Sequence, residues 1–316
     1  MTGDADPRSG GFDSLGLRLH FLEWGDPDAP PVLLLHGGLD NAWSWSEIAA
    51  DLRRDFRVIA LDLRGHGDSD WSQGGDYHMA SYLGDLASFT TAVIGRPAAL
   101  IGHSMGARIA IHFAGALPEA VERLVAIEGL AGGRANPQLG EKAGARTRDW
   151  VEARSARHAA DHASQVGGWL RARAAYRRQS SRPHENLEDV VTRQLARTEQ
   201  RLTREQALWF ARTNMREDED GRLTWKFDPA VRWFIGVEPG VCESHAFFNR
   251  IECPVMHVYG EESWAYPPPV EDLGRFRRSR VSIIPGAGHW SHLNQPAAVL
   301  REMRAFLTAS MAEADP

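Results

Sequence analysis

The chain has 316 residues, 43% of them hydrophobic and 25% charged, which is ordinary globular composition and enough length for one large core, or one core with a smaller lid. A formal charge of −6 gives no electrostatic footprint for nucleic acid, and no run of about 18 apolar residues exists to span a bilayer. Two cysteines, Cys242 and Cys253, cannot make a disulfide framework and read as reduced thiols; with no basic and apolar leader at the start, the expectation is a soluble cytoplasmic protein.

In chain order, residues 1–11 are polar and Gly-rich and read as frayed. From Gly16 the alternation of GLRLHFLEW predicts an edge or near-edge strand. Six short apolar runs follow: 32–35 before HGG, 58–61 before DLRGHG, 98–101 before GHSMG, 124–127 before EGL, 255–259 before GEES and 281–284 before PGAGH. Runs so short and so uniformly apolar are those of central parallel strands covered on both faces. Helical segments are expected at 77–93, 105–117, 268–277 and 296–309. This alternation predicts an α/β protein with a doubly wound, mostly parallel sheet.

The stretch 131–248 interrupts the alternation between the fourth and fifth of these strands. It is Arg-rich and reads as amphipathic helices at 143–160, 165–179, 187–197 and 204–212, whose arginines form solvated faces. The expected organisation is a core first part at 1–130, an inserted helical cap at 131–248 and a core second part at 249–316. Ligands of open α/β sheets bind beyond the carboxyl ends of the strands, and the polar, Gly-flanked segments sit at those ends.

Gly102-His103-Ser104-Met105-Gly106 fits G-x-S-x-G between an apolar strand and a helix. A turn this sharp holds Ser104 in strained backbone and leaves no room for side chains at 102 and 106. It also presents the hydroxyl at a helix N-terminus, where amide groups and dipole favour developing negative charge. Ser104 is therefore the candidate nucleophile. His103, beside it, points away on such a turn and reads as structural.

GHSMG, His36-Gly37-Gly38, the Asp62–Ser69 run DLRGHGDS and Gly286-Ala287-Gly288-His289 together resemble the α/β-hydrolase superfamily, over about 16–130 and 250–309. The resemblance implies a serine hydrolase with a helical lid. It implies an oxyanion hole from the N–H groups of Met105 and of Gly38, with Leu39 as the alternative to Gly38. Chain order Ser–acid–His makes His289 the general base, with His292 packing or facing solvent. Asp62 and its turn would organise the loop beside the oxyanion hole.

The acid departs from the family pattern. Many members carry it as Gly-x-x-Asp after the strand at 255–259, and counting from Gly260 that position is Ser263, a neutral hydroxyl. Glu261 and Glu262 lie in the same loop, one or two positions early. Glu128 ends the preceding strand, about 4.8 Å to the side, and is long enough to reach a histidine above both strands. Some superfamily members place their acid there, and Glu128 is the favoured candidate. With no acid at all, the chain would instead be a ligand-binding protein that kept the fold.

Eleven tryptophans are mostly core, but Trp43 follows the oxyanion loop and Trp264 the usual acid position, so both are candidate pocket walls. Such a pocket suits a hydrophobic small molecule. Neither a nucleotide cofactor nor a metal is expected, because phosphate-binding Gly motifs and paired Cys/His spacings are missing. The expected reaction is hydrolysis of an ester or thioester through an acyl-Ser104 intermediate. Carbon–carbon bond hydrolases, lactonases and perhydrolases share the constellation, and the sequence leaves the oligomeric state open.

Overall fold

The computed structural model describes residues 6–129, 162–176, 183–184, 186–197, 200–231, 241–265 and 267–309. Eight strands form one sheet: β1 (Arg8–Ser14), β2 (Leu17–Trp24), β3 (Pro31–Leu35), β4 (Arg57–Leu61), β5 (Ala98–His103), β6 (Val121–Ile127), β9 (Val255–Gly260) and β10 (Ser279–Ile284). Their spatial order is β1-β2-β4-β3-β5-β6-β9-β10. β1 and β2 run antiparallel; every pair from β4 to β10 is parallel. The six apolar runs thus fall on the six parallel strands, five of them inside the sheet, whereas β10 closes its edge and leaves Val281 and Ile283 exposed, not covered on both faces as expected.

β3 shows why they read as they do. All five residues of Pro-Val-Leu-Leu-Leu are buried. Leu33 and Leu35 face one core with Leu86, Phe89, Ile109 and Phe113; Val32 and Leu34 face the other with Trp45, Ile48, Val299 and Phe306. A strand with a period-two choice of core and no solvent face keeps no polar position.

Helices α1 (Ser46–Leu52), α2 (Met79–Phe89) and α3 (Met105–Ala116) follow β3, β4 and β5. α3 is buried on nearly every side, as its Ala- and Ile-rich sequence requires. Between β6 and β9 lie α4 (His162–Tyr176), α5 (Leu187–Leu195), α6 (Arg204–Asn214), the hairpin β7 (Met215–Glu217) with β8 (Leu223–Trp225), and α7 (Val241–Phe248). Val190, Val191, Ala207, Ala211 and Met215 give α5, α6 and the hairpin a core of their own. The helix predicted at 143–160, together with Trp150 and Trp233, lies outside the described residues. α8 (Val270–Leu273), α9 (Ser291–Asn294) and α10 (Pro296–Thr308) complete the chain. Among the described residues no helix is long and apolar enough to cross a membrane.

Three expectations change. Residues from Arg8 onward are an edge strand instead of a frayed end: Gly10 and Gly11 leave room for the Phe21 and Arg18 side chains, and Phe12 enters the core. The helix expected at 77–93 starts only at Met79, because the Tyr77 hydroxyl donates to Asp228 Oδ2 at 2.5 Å and His78 stays extended. That expected at 268–277 shrinks to one turn ending at Gly274, a poor helix former.

The order places β3 between β4 and β5, so the winding reverses at β3. The loops leaving β3 and β5 diverge there, and the crevice between them is where such sheets bind ligands. In the loop after β4, Arg64 holds the buried Asp85 carboxylate through Nε at 2.6 Å and Nη2 at 2.7 Å, and Ser14 Oγ donates to Asp85 Oδ1 at 2.7 Å. This ion pair ties the edge strand and α2 to the loop after β4. Arg64→Met leaves a buried carboxylate without its cation and should cost about 3–5 kcal/mol in urea unfolding.

Candidate active site

Gly102 and Gly106 are fixed by close approach of backbone. A Cβ on Gly102 would lie 2.5 Å from Ala107 N, and one on Gly106 would lie 2.3 Å from Leu35 O. α3 can therefore start directly against the end of β3. The turn between β5 and α3 puts Ser104 at φ 51°, ψ −110°, a conformation that side chains rarely adopt. Ser104 and Met105 are half-exposed, whereas Gly102 and His103 are buried. Ser104 N–H donates to Ile127 O at 2.8 Å, so the elbow is also stitched to the end of β6.

The β3 loop lies alongside. His36 Nε2 accepts from Leu63 N–H at 3.0 Å, which leaves its proton on Nδ1 to donate to Gly37 O at 2.7 Å. Leu39 is left-handed at φ 65°, and the nearest atom to a Cβ on Gly38 would be Met105 Sδ at 3.8 Å. The two candidate oxyanion residues are neighbours across the crevice.

Glu128, the residue after β6, is left-handed as well, at φ 56°. Its N–H donates to Val258 O at 2.9 Å and its side chain reaches over the end of β9. There Gly260 N–H donates to Oε1 at 2.5 Å, the Ser263 hydroxyl donates to Oε2, and His289 Nδ1 lies 3.0 Å from the same Oε2. The Glu128 side chain has no solvent exposure, and burial pushes its carboxyl well above the ordinary range against the pull of Gly260 and Ser263. The other two acids point elsewhere. Glu261 accepts from Gly286 N–H at 3.1 Å at the surface, and Glu262 pairs with exposed Arg201.

His289 is held at both ends. Besides its ring contact with Glu128, its carbonyl oxygen accepts from His103 Nε2 at 2.9 Å. Burial lowers His103 to about 4, so the ring is neutral with its proton on that nitrogen. The residue preceding Ser104 thus fastens the loop that carries His289, a link with no signal in the sequence beyond the residue type. Trp264 sits 4.6 Å from the His289 ring, and Trp43 meets Trp209 of α6 edge-on at 6.1 Å. Trp290, not singled out in the sequence, stacks obliquely with Phe210 at 5.1 Å. His292 is buried, 4.6 Å from the Trp45 ring.

Among the described residues, one group of ligand-type side chains is close enough for a metal ion: His20, Asp62 and Asp68. Its atoms are already engaged. Asp62 Oδ2 takes His20 Nδ1 at 2.7 Å and Asp68 N–H at 3.0 Å, Oδ1 takes Ala42 N–H at 2.7 Å, and Lys226 pairs with Asp68 at 2.8 Å. Asp62 thereby fastens the DLRGHGDS turn to the segment after the β3 loop.

Asp40, in that loop, is buried and receives Asn41 N–H at 2.9 Å. Burial raises its carboxyl from 3.8 to about 7. The folded chain therefore keeps a proton that the unfolded chain releases at lower pH, and this contribution to stability is lost as pH rises through about 7. Asp40→Asn, neutral at every pH, should gain on the wild type by up to about 1.4 kcal/mol per pH unit over that window, measured by urea unfolding at a series of pH values.

Comparison with known proteins agrees with this architecture. The structure superposes on a hypothetical protein from Pseudomonas aeruginosa PAO1 with a TM-score of 0.77 and 27% identity, covering 96% of this chain and 100% of that one. It is similar in fold to the thioesterase domain from the curacin biosynthetic pathway, with TM-score 0.75 and 22% identity over 94% and 99% of the two chains. Along the sequence it is 25% identical to the mouse sn-1-specific diacylglycerol lipase ABHD11 over 95% of this chain and 89% of that protein. A human serine hydrolase-like protein is 34% identical over a shorter stretch, 33% of this chain and 52% of that protein. An uncharacterized protein of Mycobacterium tuberculosis is 38% identical over 33% of this chain and 30% of that one. The matched region thus spans about a third to a half of these two curated relatives. The family model described as alpha/beta hydrolase fold matches residues 30–296, and the chain belongs to that family.

Proposed function

We propose that the protein is a serine hydrolase that cleaves an ester or thioester of a hydrophobic small molecule through an acyl-serine intermediate. The observation that carries the reading is the contact of His289 Nδ1 with Glu128 Oε2 at 3.0 Å, on a histidine whose backbone is tied to the residue before a strained Ser104. In this reading Ser104 Oγ attacks the carbonyl carbon while His289 Nε2 takes its proton. Glu128 holds the Nδ1–H tautomer and offsets the imidazolium. The amides of Met105 and Gly38 receive the oxyanion, each contributing about 2.7–4 kcal/mol. His289 then protonates the leaving group, and water repeats the sequence in reverse roles to release the acid.

Segment 131–248 serves as the cap over the strand ends, with Trp43 and Trp264 as aromatic walls. The similarity of nearly the whole chain to a protein named for lipase activity supports the ester reading. The alternative of a binding protein without turnover draws on the lack of an acid at 263, and Glu128, 3.0 Å from His289 Nδ1, supplies a carboxylate in its place.

A fluorophosphonate probe should label the wild type stoichiometrically at Ser104 and leave Ser104→Ala unlabelled; folded wild-type protein that stays unlabelled refutes the reading. Glu128→Gln should keep the fold and lower turnover by about 10⁴, whereas Glu262→Gln should stay near the wild-type rate. Rates over p-nitrophenyl esters of increasing chain length, set beside acyl thioesters, identify the substrate class.

A further inference from the structure

Glutamate at the acid position carries a mechanical problem. Its last torsion, between Cγ and the carboxylate, is broad and two-fold, so a long arm alone does not fix the plane of the oxygens. An ionised carboxylate without solvent exposure also needs several donors, because it offers about four acceptor sites and has no water to fill them.

The structure meets both needs from the loop after β9. Gly260 N–H engages Oε1 at 2.5 Å, and the Ser263 hydroxyl engages Oε2, the oxygen that faces His289. Ser263 itself is fully buried. Its N–H donates to Gly260 O at 3.1 Å, and its Oγ accepts Ala265 N–H at 3.1 Å. With Oγ taking that N–H, its own proton is directed at Glu128. Gly260 on Oε1 and Ser263 on Oε2 fix the carboxylate plane independently of the His289 ring it must meet.

We propose that Ser263 is a positioning residue, whose hydroxyl clamps Glu128 Oε2 in register with His289 Nδ1. It touches no substrate and acts through Glu128. The inference rests on the acyl-serine reading for its kinetic effect, but the clamp can be measured without turnover. Removing the hydroxyl leaves the Gly260 amide on Oε1 and His289 on Oε2, and burial then favours the protonated carboxyl, which accepts His289 Nδ1–H more weakly than a carboxylate does.

Ser263→Ala should lower kcat about 10- to 100-fold, the scale of one hydrogen bond to a buried charge, with KM within about twofold. Ser263→Cys, nearly the same shape but a weak donor, should fall much closer to Ser263→Ala than to wild type. In parallel, the low-field proton resonance of His289 Nδ1–H, assigned by its loss in Glu128→Gln, should shift in Ser263→Ala. Overturning results are a kcat for Ser263→Ala within twofold of wild type, or Ser263→Cys matching wild type, which marks a packing role. An unmoved resonance in folded Ser263→Ala also refutes the clamp, with or without measurable turnover. Failure of the acyl-serine reading shows separately, as an unlabelled Ser104 in wild type beside a resonance that still responds to Ser263→Ala.

Discussion

α3 begins so close to the end of β3 that only a hydrogen fits at position 106, and the layout of the site follows from that spacing. The contact brings Met105 beside the His36–Leu39 loop and forces the chain through the left-handed turn at Ser104. It also leaves His103 pointing into the interior, where it meets the carbonyl of His289. Three loops from three strand ends are therefore registered on one backbone approach. Leu39, Ser104 and Glu128 are each left-handed without being glycine, and each lies at one of the strand ends that line the crevice. Strain of this kind persists only where surrounding structure over-determines it.

The inner parallel strands are legible because strands buried on both faces have few polar positions, and the site loops because glycines lie in each within a few residues of an apolar run. The same rule fails at the chain's edges. β1 carries glycines where a strand pattern should carry bulk, since its neighbour's Phe21 fills the space. The lateral position of Glu128 could be argued from strand spacing alone, but the direction of Glu261 and Glu262 could not. Which way a loop side chain turns depends on backbone hydrogen bonds such as Glu262 N–H to Ala287 O at 2.9 Å, and these have no local signature. Ser263 illustrates the point: in sequence it is a missing carboxylate, and in space it is a donor to one.

Five buried titratable groups fall into two kinds, apart from Asp62, whose carboxyl is held below its ordinary range by His20 and backbone amides against the effect of burial. His36, His103 and His292 are desolvated and neutral, and two of them use their single N–H as a fixed backbone fastener. Asp40 and Glu128 are desolvated acids pushed toward neutrality, held by amide and hydroxyl donors instead of cations. Among the described residues, Arg64–Asp85 forms an ion pair just past the carboxyl end of β4, and Arg57–Glu23 forms one at its start.

The seam between the sheet and the segment after β6 is built in a particular way. Asn41 Nδ2 donates to Thr213 O at 2.9 Å, and Asn294 Nδ2 donates to Gln200 O at 3.0 Å. In both, the amide belongs to the core and the acceptor is a main-chain carbonyl, which every residue type supplies. Mutational drift at positions 200 and 213 therefore leaves these fastenings intact, so long as the local backbone path is kept. Other ties do need the segment's own side chains, as where Asp228 accepts the Tyr77 hydroxyl and Lys226 pairs with Asp68, so positions 200 and 213 are freer to vary than 226 and 228.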